Sequence, residues 1–167
     1  MVVIIMGTTG AGKTTVGKLL AARLGWEFGD ADDFHSVANK AKMHAGIGLN
    51  DEDRKPWLQA MSVAIDAWLH SDTDAVLACS ALKRAYRDEL RVGRGVRFVY
   101  LKGSYDEIAR RLEHRRGHFA GVDLLKSQFE TLEEPAPDEN AIEVPIRLTP
   151  DEQVEAIVQA LGVTSRA

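Results

Sequence analysis

The sequence predicts an α/β protein in which the strands of one parallel sheet alternate with helices. The unbroken apolar run Val2-Val3-Ile4-Ile5-Met6 passes directly into a glycine-rich turn and then into a helical pattern. Further short apolar runs follow, and each is separated from the next by a stretch with helical periodicity. Apolar runs rich in β-branched residues are typical of strands buried on both faces. The alternation favours parallel strands joined by right-handed crossovers.

Length and composition indicate one domain over residues 1–167. Hydrophobic residues make up 45% of the 167 positions, enough for a single sizeable core, and no low-complexity stretch divides the chain. The net charge of −4 gives no basic field for nucleic acid or a membrane surface, and no apolar run approaches membrane-spanning length. The single cysteine, Cys79, excludes an internal disulfide and fits a reducing compartment. We expect a cytoplasmic protein with a small-molecule partner.

Each element has its own pattern. Strands are predicted over residues 2–6, 26–28, 75–79, 96–101 and 142–146. Helices are predicted over residues 13–24, 36–45 and 83–90, around residues 105–112 and 125–132, from the cap at Asn50 or Asp51, and from Pro150. The apolar stripe of the first helix is Val16, Leu19, Leu20 and Leu24, and that of the helix after Asn50 is Leu58, Met61, Ile65 and Trp68.

The glycine-rich turn has the G-x-x-x-x-G-K-T pattern of a P-loop, in its expected place between a strand and a helix. Its glycines let successive N–H groups form a concave nest for phosphate oxygens, and the following helix directs its positive end at the same anion. Lys13 adds a charge for the terminal phosphates, and the Thr14 hydroxyl is a hard ligand that suits Mg²⁺. The predicted nucleotide-binding residues are Gly7, Thr8, Thr9, Gly10, Ala11, Gly12, Lys13, Thr14 and Thr15.

An acidic cluster, Asp30-Ala31-Asp32-Asp33, follows the second strand, where ligands gather in open parallel sheets. One carboxylate could hold a Mg²⁺-bound water while another accepts a proton from an attacking hydroxyl, as phosphoryl transfer to an alcohol requires. The alternative is a solvated loop in which Asp32 or Asp33 caps a helix. A GTPase is disfavoured, because the nearest approach to its base-reading N-K-x-D motif, residues 39–42, ends in lysine.

Two groups of cations complete the candidate site. The basic turn Arg115-Arg116-Gly117-His118 could close over the phosphates, although a solvated basic face is the alternative. Cations near loop-to-helix junctions would together suit an acceptor with its own carboxylate, although each alone could be a surface ion-pair partner. These cations are Lys42, Arg54, Lys83 and Arg87.

Several blocks in this order resemble the gluconokinase family. They are the P-loop, Asp30-Ala31-Asp32 with His35, Lys42-Met43, Leu49-Asn50-Asp51-Glu52-Asp53-Arg54-Lys55-Pro56-Trp57-Leu58, Cys79-Ser80-Ala81-Leu82-Lys83, Tyr86-Arg87-Asp88, Tyr100-Leu101-Lys102-Gly103, Arg115-Arg116-Gly117-His118-Phe119 and Gln128-Phe129-Glu130-Thr131-Leu132-Glu133-Glu134-Pro135. The block from Leu49 to Leu58 is far more specific than the P-loop. The resemblance extends from residue 2 to about residue 146.

This resemblance implies a P-loop kinase fold like that of shikimate and nucleoside monophosphate kinases, with a five-stranded parallel sheet, a mobile lid at about residues 115–124 and a homodimer. It implies phosphorylation of D-gluconate at its 6-hydroxyl by ATP and Mg²⁺. The implied substrate residues are Asp32, His35, Arg54, Ser80 and Lys83.

Catalytic and metal roles follow from the same resemblance. Lys13, Asp32 and Arg115 are the expected catalytic residues, and Thr14 and Asp30 the expected metal residues, although Asp30 and Asp32 could exchange roles. Similarity to the wider kinase group places Arg111 on the adenine, opposite the loop that ends at Pro150.

The chain also departs from the family pattern. Thr8 and Thr9 replace an expected valine and serine, and Asp33 stands where some members carry a large apolar residue. One alternative is shikimate kinase, but the three glycines expected after its third strand are Ser80-Ala81-Leu82 here. The other alternative is a non-catalytic ATP-binding module.

Overall fold

The computed structural model describes residues 1–116 and 120–164, with the backbone alone at residues 115, 116 and 120–122. Its strands are β1 (Val2–Met6), β2 (Glu27–Asp30), β3 (Ala75–Ala78), β4 (Val96–Lys102) and β5 (Ile142–Pro145). Its helices are α1 (Lys13–Leu24), α2 (Val37–His44), α3 (Asp51–His70), α4 (Arg84–Leu90), α5 (Tyr105–Arg116), α6 (Ala120–Thr131) and α7 (Pro150–Leu161). Short 3₁₀ helices lie at Ala31–Phe34 and Pro137–Glu139.

The five strands form one parallel sheet in the order β2-β3-β1-β4-β5. The prediction of a five-stranded parallel sheet flanked by helices is therefore confirmed. β1 lies in the middle, with β3 and β4 on its two sides. The turn that follows β1 is consequently at the centre of the carboxyl edge, which is the ligand-binding edge of such sheets.

The two faces of β1 contribute to two separate cores. Val3 and Ile5 pack in the cluster that includes residues of α1 and α7, whereas Val2, Ile4 and Met6 pack in the cluster that includes residues of α3 and α4. All five side chains are fully buried. Burial of each contributes about 1.5–3 kcal/mol relative to exposure, which explains why this strand has no polar alternation.

Capping residues at the helix ends account for most of the predicted boundaries. α1 has the predicted bounds and ends at Gly25 in a left-handed conformation. Asn50 caps α3 in a reciprocal arrangement with Asp53, and Ser36 caps α2. Pro56 is tolerated because it lies near the start of α3.

Two details differ from expectation. β2 extends to Asp30, and the acidic segment continues as a 3₁₀ helix because the Asp30 carboxylate accepts the N–H of Asp32 at 3.0 Å. Asp30, rather than Asp32 or Asp33, is thus the capping residue. Leu19, predicted to be buried, is 38% exposed, because it lies beside rather than within the stripe formed by Val16 and Leu20.

Within the described residues, no helix combines the length and the apolar character needed to cross a bilayer.

Candidate active site

The loops after β1, β2 and β3 meet at the carboxyl edge of the sheet. The P-loop leaves β1, the acidic segment leaves β2, and the loop with Ser80 and Lys83 leaves β3. The N–H of Gly7 donates to the carbonyl oxygen of Ser80 at 3.3 Å, which joins the first and third of these loops directly. The topology therefore brings together the three segments that the sequence predicts to carry the site.

Glycine is required at two positions in the P-loop. Gly10 and Gly12 have φ angles of 79° and 96°, which L side chains rarely adopt. A Cβ atom on Gly10 would also lie 3.0 Å from the side chains of Ile108 and Leu112 in α5. The loop is therefore held tightly against α5, and α1 begins directly after Gly12.

The Lys13 ammonium turns back onto the P-loop. Its Nζ donates to the carbonyl oxygen of Thr8 at 2.9 Å. Burial lowers the pKa of Lys13, while the neighbouring carboxylates of Asp32 and Asp30 oppose that shift. The cation thus lies between the phosphate nest and the acidic segment, where it can serve a phosphoryl group in transit.

The N–H of Thr9 is engaged by a distant side chain. It donates to Oε1 of Gln128 in α6 at 2.6 Å. The neighbouring Thr8 is buried, and its Oγ1 has no hydrogen-bond partner among the described residues. We predict that Thr8 and Thr9 contribute to phosphate binding through their backbone N–H groups. The Thr9 N–H is already bound to Gln128 in α6, so these contacts leave only the Thr8 N–H for that role.

Thr14 and Asp30 form a pair of hard oxygen donors. Thr14 Oγ1 donates to Asp30 Oδ2 at 2.9 Å, and the other carboxylate oxygen of Asp30 is held by Asp32 N–H. No cage of three metal-ligating side chains exists among the described residues. A hydroxyl and a carboxylate beside a phosphate nest fit Mg²⁺, which usually takes one or two protein ligands and completes its shell with phosphates and water.

Asp32 presents its carboxylate next to this pair. Partial removal from solvent and the negative charge of Asp30 raise the pKa of Asp32, and the positive charge of Lys13 opposes the shift. A carboxylate with a raised pKa is a better proton acceptor than an ordinary aspartate. Asp32 and its neighbour Asp33 are both on the exposed side of the acidic segment.

His35 is buried and has one contact on a face of its ring and another at its Nδ1 edge. It stacks on Trp57 with the ring centroids 4.4 Å apart and an interplanar angle of 8°. The Asn39 amide nitrogen donates to the carbonyl oxygen of Asp53 at 2.7 Å and lies 3.4 Å from His35 Nδ1. Because that carbonyl fixes which end of the amide is the donor, His35 Nδ1 is an acceptor and the ring proton is on Nε2.

The predicted acceptor cations lie around one tyrosine. Nη1 of Arg54 donates to the Tyr86 hydroxyl at 3.2 Å, and the Lys83 ammonium lies 5.5 Å from the centre of the same ring. Asp51 accepts from both Tyr86 and Lys83. The structure therefore brings Arg54 and Lys83 together on the acceptor side. Lys42 instead pairs with Asp53 at 3.0 Å, 41% of its side chain being exposed.

Arg87 does not fit the expectation of a substrate cation. Its side chain is 1% exposed, and it forms two hydrogen bonds to Glu139, at 2.6 and 3.2 Å. It also donates to the carbonyl oxygens of Ala81, at 2.8 Å, and Leu82, at 3.3 Å. Arg87 thus supports the loop that carries Ser80 and Lys83. Its position near a loop-to-helix junction did not reveal that Arg87 faces the core.

The predicted base-binding residues lie at one side of the P-loop. The Arg111 guanidinium donates to the carbonyl oxygen of Ile146 and is also near Gly12. Pro150 is the first residue of α7, directly beyond the loop that Ile146 begins. Arg111 therefore contacts the start of this loop, and the role of the two in binding adenine stays a prediction. The Arg115 side chain and the core of the predicted lid at residues 115–124 lie outside the described residues.

Sequence reasoning gave no individual role to four residues that hold the site together: Asn39, Trp57, Tyr86 and Gln128. Trp57 donates its indole N–H to the carbonyl oxygen of Ala31 at 2.7 Å, which ties α3 to the acidic segment. All but Asn39 fall within the family-like blocks. Membership of those blocks was the sequence signal that could have pointed to Trp57, Tyr86 and Gln128.

This chain is similar to known proteins over most of its length. The family model described as shikimate kinase matches residues 9–161. A probable gluconokinase of Mus musculus is 42% identical over 96% of this chain and 97% of its own length. A gluconokinase of Gluconobacter oxydans (strain 621H) is 43% identical over 93% of this chain and 88% of its own.

A solved structure extends the agreement to three dimensions. A gluconokinase from Sinorhizobium meliloti 1021 superposes with a TM-score of 0.87 at 40% identity, covering 96% of this chain and 90% of that one. The fold implies the use of ATP, because these proteins are P-loop kinases. The resemblance inferred from the sequence is confirmed, and the chain belongs to the gluconokinase family of shikimate kinase-like P-loop enzymes.

Proposed function

We propose that this enzyme transfers the γ-phosphoryl group of ATP to the 6-hydroxyl of D-gluconate, giving 6-phospho-D-gluconate and ADP. The observation that carries the proposal is the meeting of three loops at one sheet edge. They combine a phosphate nest, a carboxylate with a raised pKa at Asp32, and the cations Arg54 and Lys83. The names of the relatives in the gluconokinase family support the choice of acceptor.

The donor side is assigned to the P-loop. The amides of Gly10, of Gly12 and of residues 13–15 hold the phosphates together with the Lys13 ammonium, since the Ala11 amide already donates to the carbonyl oxygen of Thr8 at 3.2 Å. Arg111 and the loop ending at Pro150 hold the base. Thr14 and Asp30 would hold Mg²⁺, which would neutralise charge on the phosphates. Their 2.9 Å contact supports this pairing.

The acceptor side is assigned to His35, Ser80, Arg54 and Lys83. Gluconate presents one carboxylate and a row of hydroxyls. Arginine and lysine bind the carboxylate, and the His35 Nε2–H donates to a hydroxyl oxygen. Asp32 takes or orients the proton of the 6-hydroxyl as the oxygen attacks phosphorus. Arg115, which lies in the predicted lid, would stabilise the charge on the transferring group.

A coupled assay of ADP release tests the proposal. Purified enzyme receives ATP, Mg²⁺ and one of four acceptors: D-gluconate, shikimate, D-glucose or adenosine monophosphate. We expect turnover with gluconate at least about a hundredfold above the others, the discrimination that buried polar recognition can provide. Turnover with shikimate would support a shikimate kinase. A lack of ADP release with all four acceptors would favour a non-catalytic ATP-binding module.

The proposal includes a cytoplasmic homodimer. The single buried cysteine fits a reducing compartment, and the dimer rests on the family resemblance. Light scattering coupled to size exclusion would give a mass of two chains, and a mass of 18.4 kDa would contradict the dimer.

A further inference from the structure

Four side chains around the proposed carboxylate site form a continuous chain of hydrogen bonds. Arg54 donates to the Tyr86 hydroxyl at 3.2 Å, and that hydroxyl donates to Asp51 Oδ1 at 2.5 Å. The Lys83 ammonium lies 3.2 Å from Oδ1 and 3.4 Å from Oδ2 of Asp51. A carboxylate of the protein thus makes the contacts that the carboxylate of a sugar acid would make.

The members of this cluster differ in how firmly they are held. Tyr86 is 8% exposed, and its ring lies under both cations, 5.7 Å from Arg54 and 5.5 Å from Lys83. The Asp51 side chain, in contrast, is 64% exposed at the start of α3. Its pKa is lowered by the hydrogen bonds from Tyr86 and Lys83, so it is ionised at neutral pH. Tyr86 is a fixed platform, whereas Asp51 can yield its contacts to an incoming anion.

Helix formation does not by itself account for these contacts. The first turn of α3 contains Asp51, Glu52 and Asp53, and Asp53 already provides the capping contact with Asn50. Asp51 instead reaches residues 32 and 35 positions further along the chain, in the loop after β3 and in α4. Its contacts are therefore with the acceptor site.

We propose that Asp51 is an internal counter-ion that competes with the substrate carboxylate for Lys83 and the Arg54–Tyr86 pair and adapts the site to a monoanionic acceptor. The inference rests on the proposed function, because it takes these cations as those that hold the sugar acid. Two positive charges and one negative charge leave one positive charge for one carboxylate. A second carboxylate adjacent to the first on the acceptor would lie near Asp51, and among the described residues no cation other than Arg54 and Lys83 contacts Tyr86 or Asp51.

Charge removal at Asp51 tests the inference, with Glu52→Gln as the matched control in the same helical turn. Asp51→Asn retains an acceptor for Tyr86 and removes only the charge. We expect its KM for gluconate to fall about threefold, the effect of one exposed ion pair, with kcat and the KM for ATP within twofold of wild type. Glu52→Gln should leave all three constants unchanged. Asp51→Ser, which also suits a first turn, carries the same expectation if Asp51→Asn does not fold.

A dicarboxylate gives a second readout. D-glucarate has the carbon chain of gluconate with a carboxylate in place of the primary alcohol, so it can only inhibit. Its inhibition constant should fall in Asp51→Asn about as much as the KM for gluconate does, because one of its carboxylates contacts the same cations while the other lies at the Asp32 end of the site. An unchanged or higher KM for gluconate in a folded, active Asp51→Asn enzyme would overturn the inference while leaving the proposed function intact. A wild-type enzyme that does not turn over gluconate would overturn both.

Discussion

The Thr14 hydroxyl donates a hydrogen bond to Asp30 Oδ2 across 2.9 Å. Thr14 is in the first turn of α1 and Asp30 is the last residue of β2, so the contact joins the phosphate nest to the acidic segment. Both oxygens are hard ligands, and they are close enough to serve one cation. The contact therefore links the nucleotide-binding loop to the segment that carries the proposed catalytic carboxylate, Asp32.

Replacement of Thr14 by alanine should weaken the response to Mg²⁺. Removal of a metal-supporting group commonly costs about 10- to 100-fold in metal affinity, and we expect the half-saturating Mg²⁺ concentration to rise by about tenfold or more. The measurement is a Mg²⁺ titration of initial rate at fixed ATP. Thr14→Ser, which restores the hydroxyl, should recover most of the response. An identical Mg²⁺ curve for Thr14→Ala would remove Thr14 from the metal site.

Replacement of Asp32 by asparagine should lower kcat by about 10²- to 10⁴-fold, the usual contribution of a general base, with ATP binding largely retained. The measurement is kcat beside a nucleotide affinity from fluorescence titration. Asp33→Asn is the matched control, because Asp33 is the adjacent carboxylate in the same segment. An equal loss of ATP affinity in Asp32→Asn would show that Asp32 acts on the metal or on the fold.

The pH dependence of kcat/KM tests the role of Asp32 as a base independently of the substitution. Since partial desolvation and Asp30 raise its pKa, and a base must be deprotonated, kcat/KM should fall with decreasing pH through a midpoint above the ordinary aspartate value. The acidic limb should be lost from the residual activity of Asp32→Asn. A limb that persists unchanged would belong to another group.

The pKa values of two histidines should be shifted in opposite directions from the ordinary histidine value. Burial and the positive charges of Arg54 and Lys40 lower the pKa of His35, while a hydrogen bond to Asp66 and the charge of that residue raise the pKa of His70. Protonation of His35 is thus disfavoured in the folded state. The stability that neutral His35 contributes is present above the pKa of about 6.5 that it has in the unfolded chain, and it is lost as the pH falls below that pKa. NMR titration of the ring signals measures both midpoints. A His35 midpoint above that of His70 would contradict the buried, Asn39-linked geometry.

Removal of Arg87 should destabilise the enzyme far more than removal of Arg84. Arg87→Ala leaves Glu139 buried without its cation, which typically costs about 3–5 kcal/mol. Arg84 makes an exposed ion pair with Asp138, so Arg84→Ala should change the melting temperature little. Thermal unfolding of the two variants decides between the roles. Similar melting temperatures would show that the Arg87–Glu139 pair does not support the loop after β3.

Local patterns in the sequence were sufficient for the sheet and for the loops at its carboxyl edge. β1 could be predicted because a strand buried on both faces leaves an unbroken apolar run. The P-loop could be predicted because glycine is required at Gly10 and Gly12. These features are local, and each has one physical explanation.

Contacts between residues far apart in the chain could not be predicted. Nothing near Gln128 indicates that its amide accepts the N–H of Thr9, and nothing near Arg87 indicates that its partner is Glu139. An arginine in a short helix is usually exposed, and only the packing of α4 against the rest of the molecule buries this one. The sequence therefore predicted where the site lies better than which cations face the acceptor.

The position of the phosphate on the product decides whether the proposed reaction takes place. Wild-type enzyme is incubated with ATP, Mg²⁺ and D-gluconate, and the product is examined by phosphorus–proton correlation NMR. We expect a single phosphate monoester coupled to the methylene protons at carbon 6, formed in equal amount to ADP. A phosphate on any other oxygen, or ADP formed at the same rate without gluconate, would contradict it.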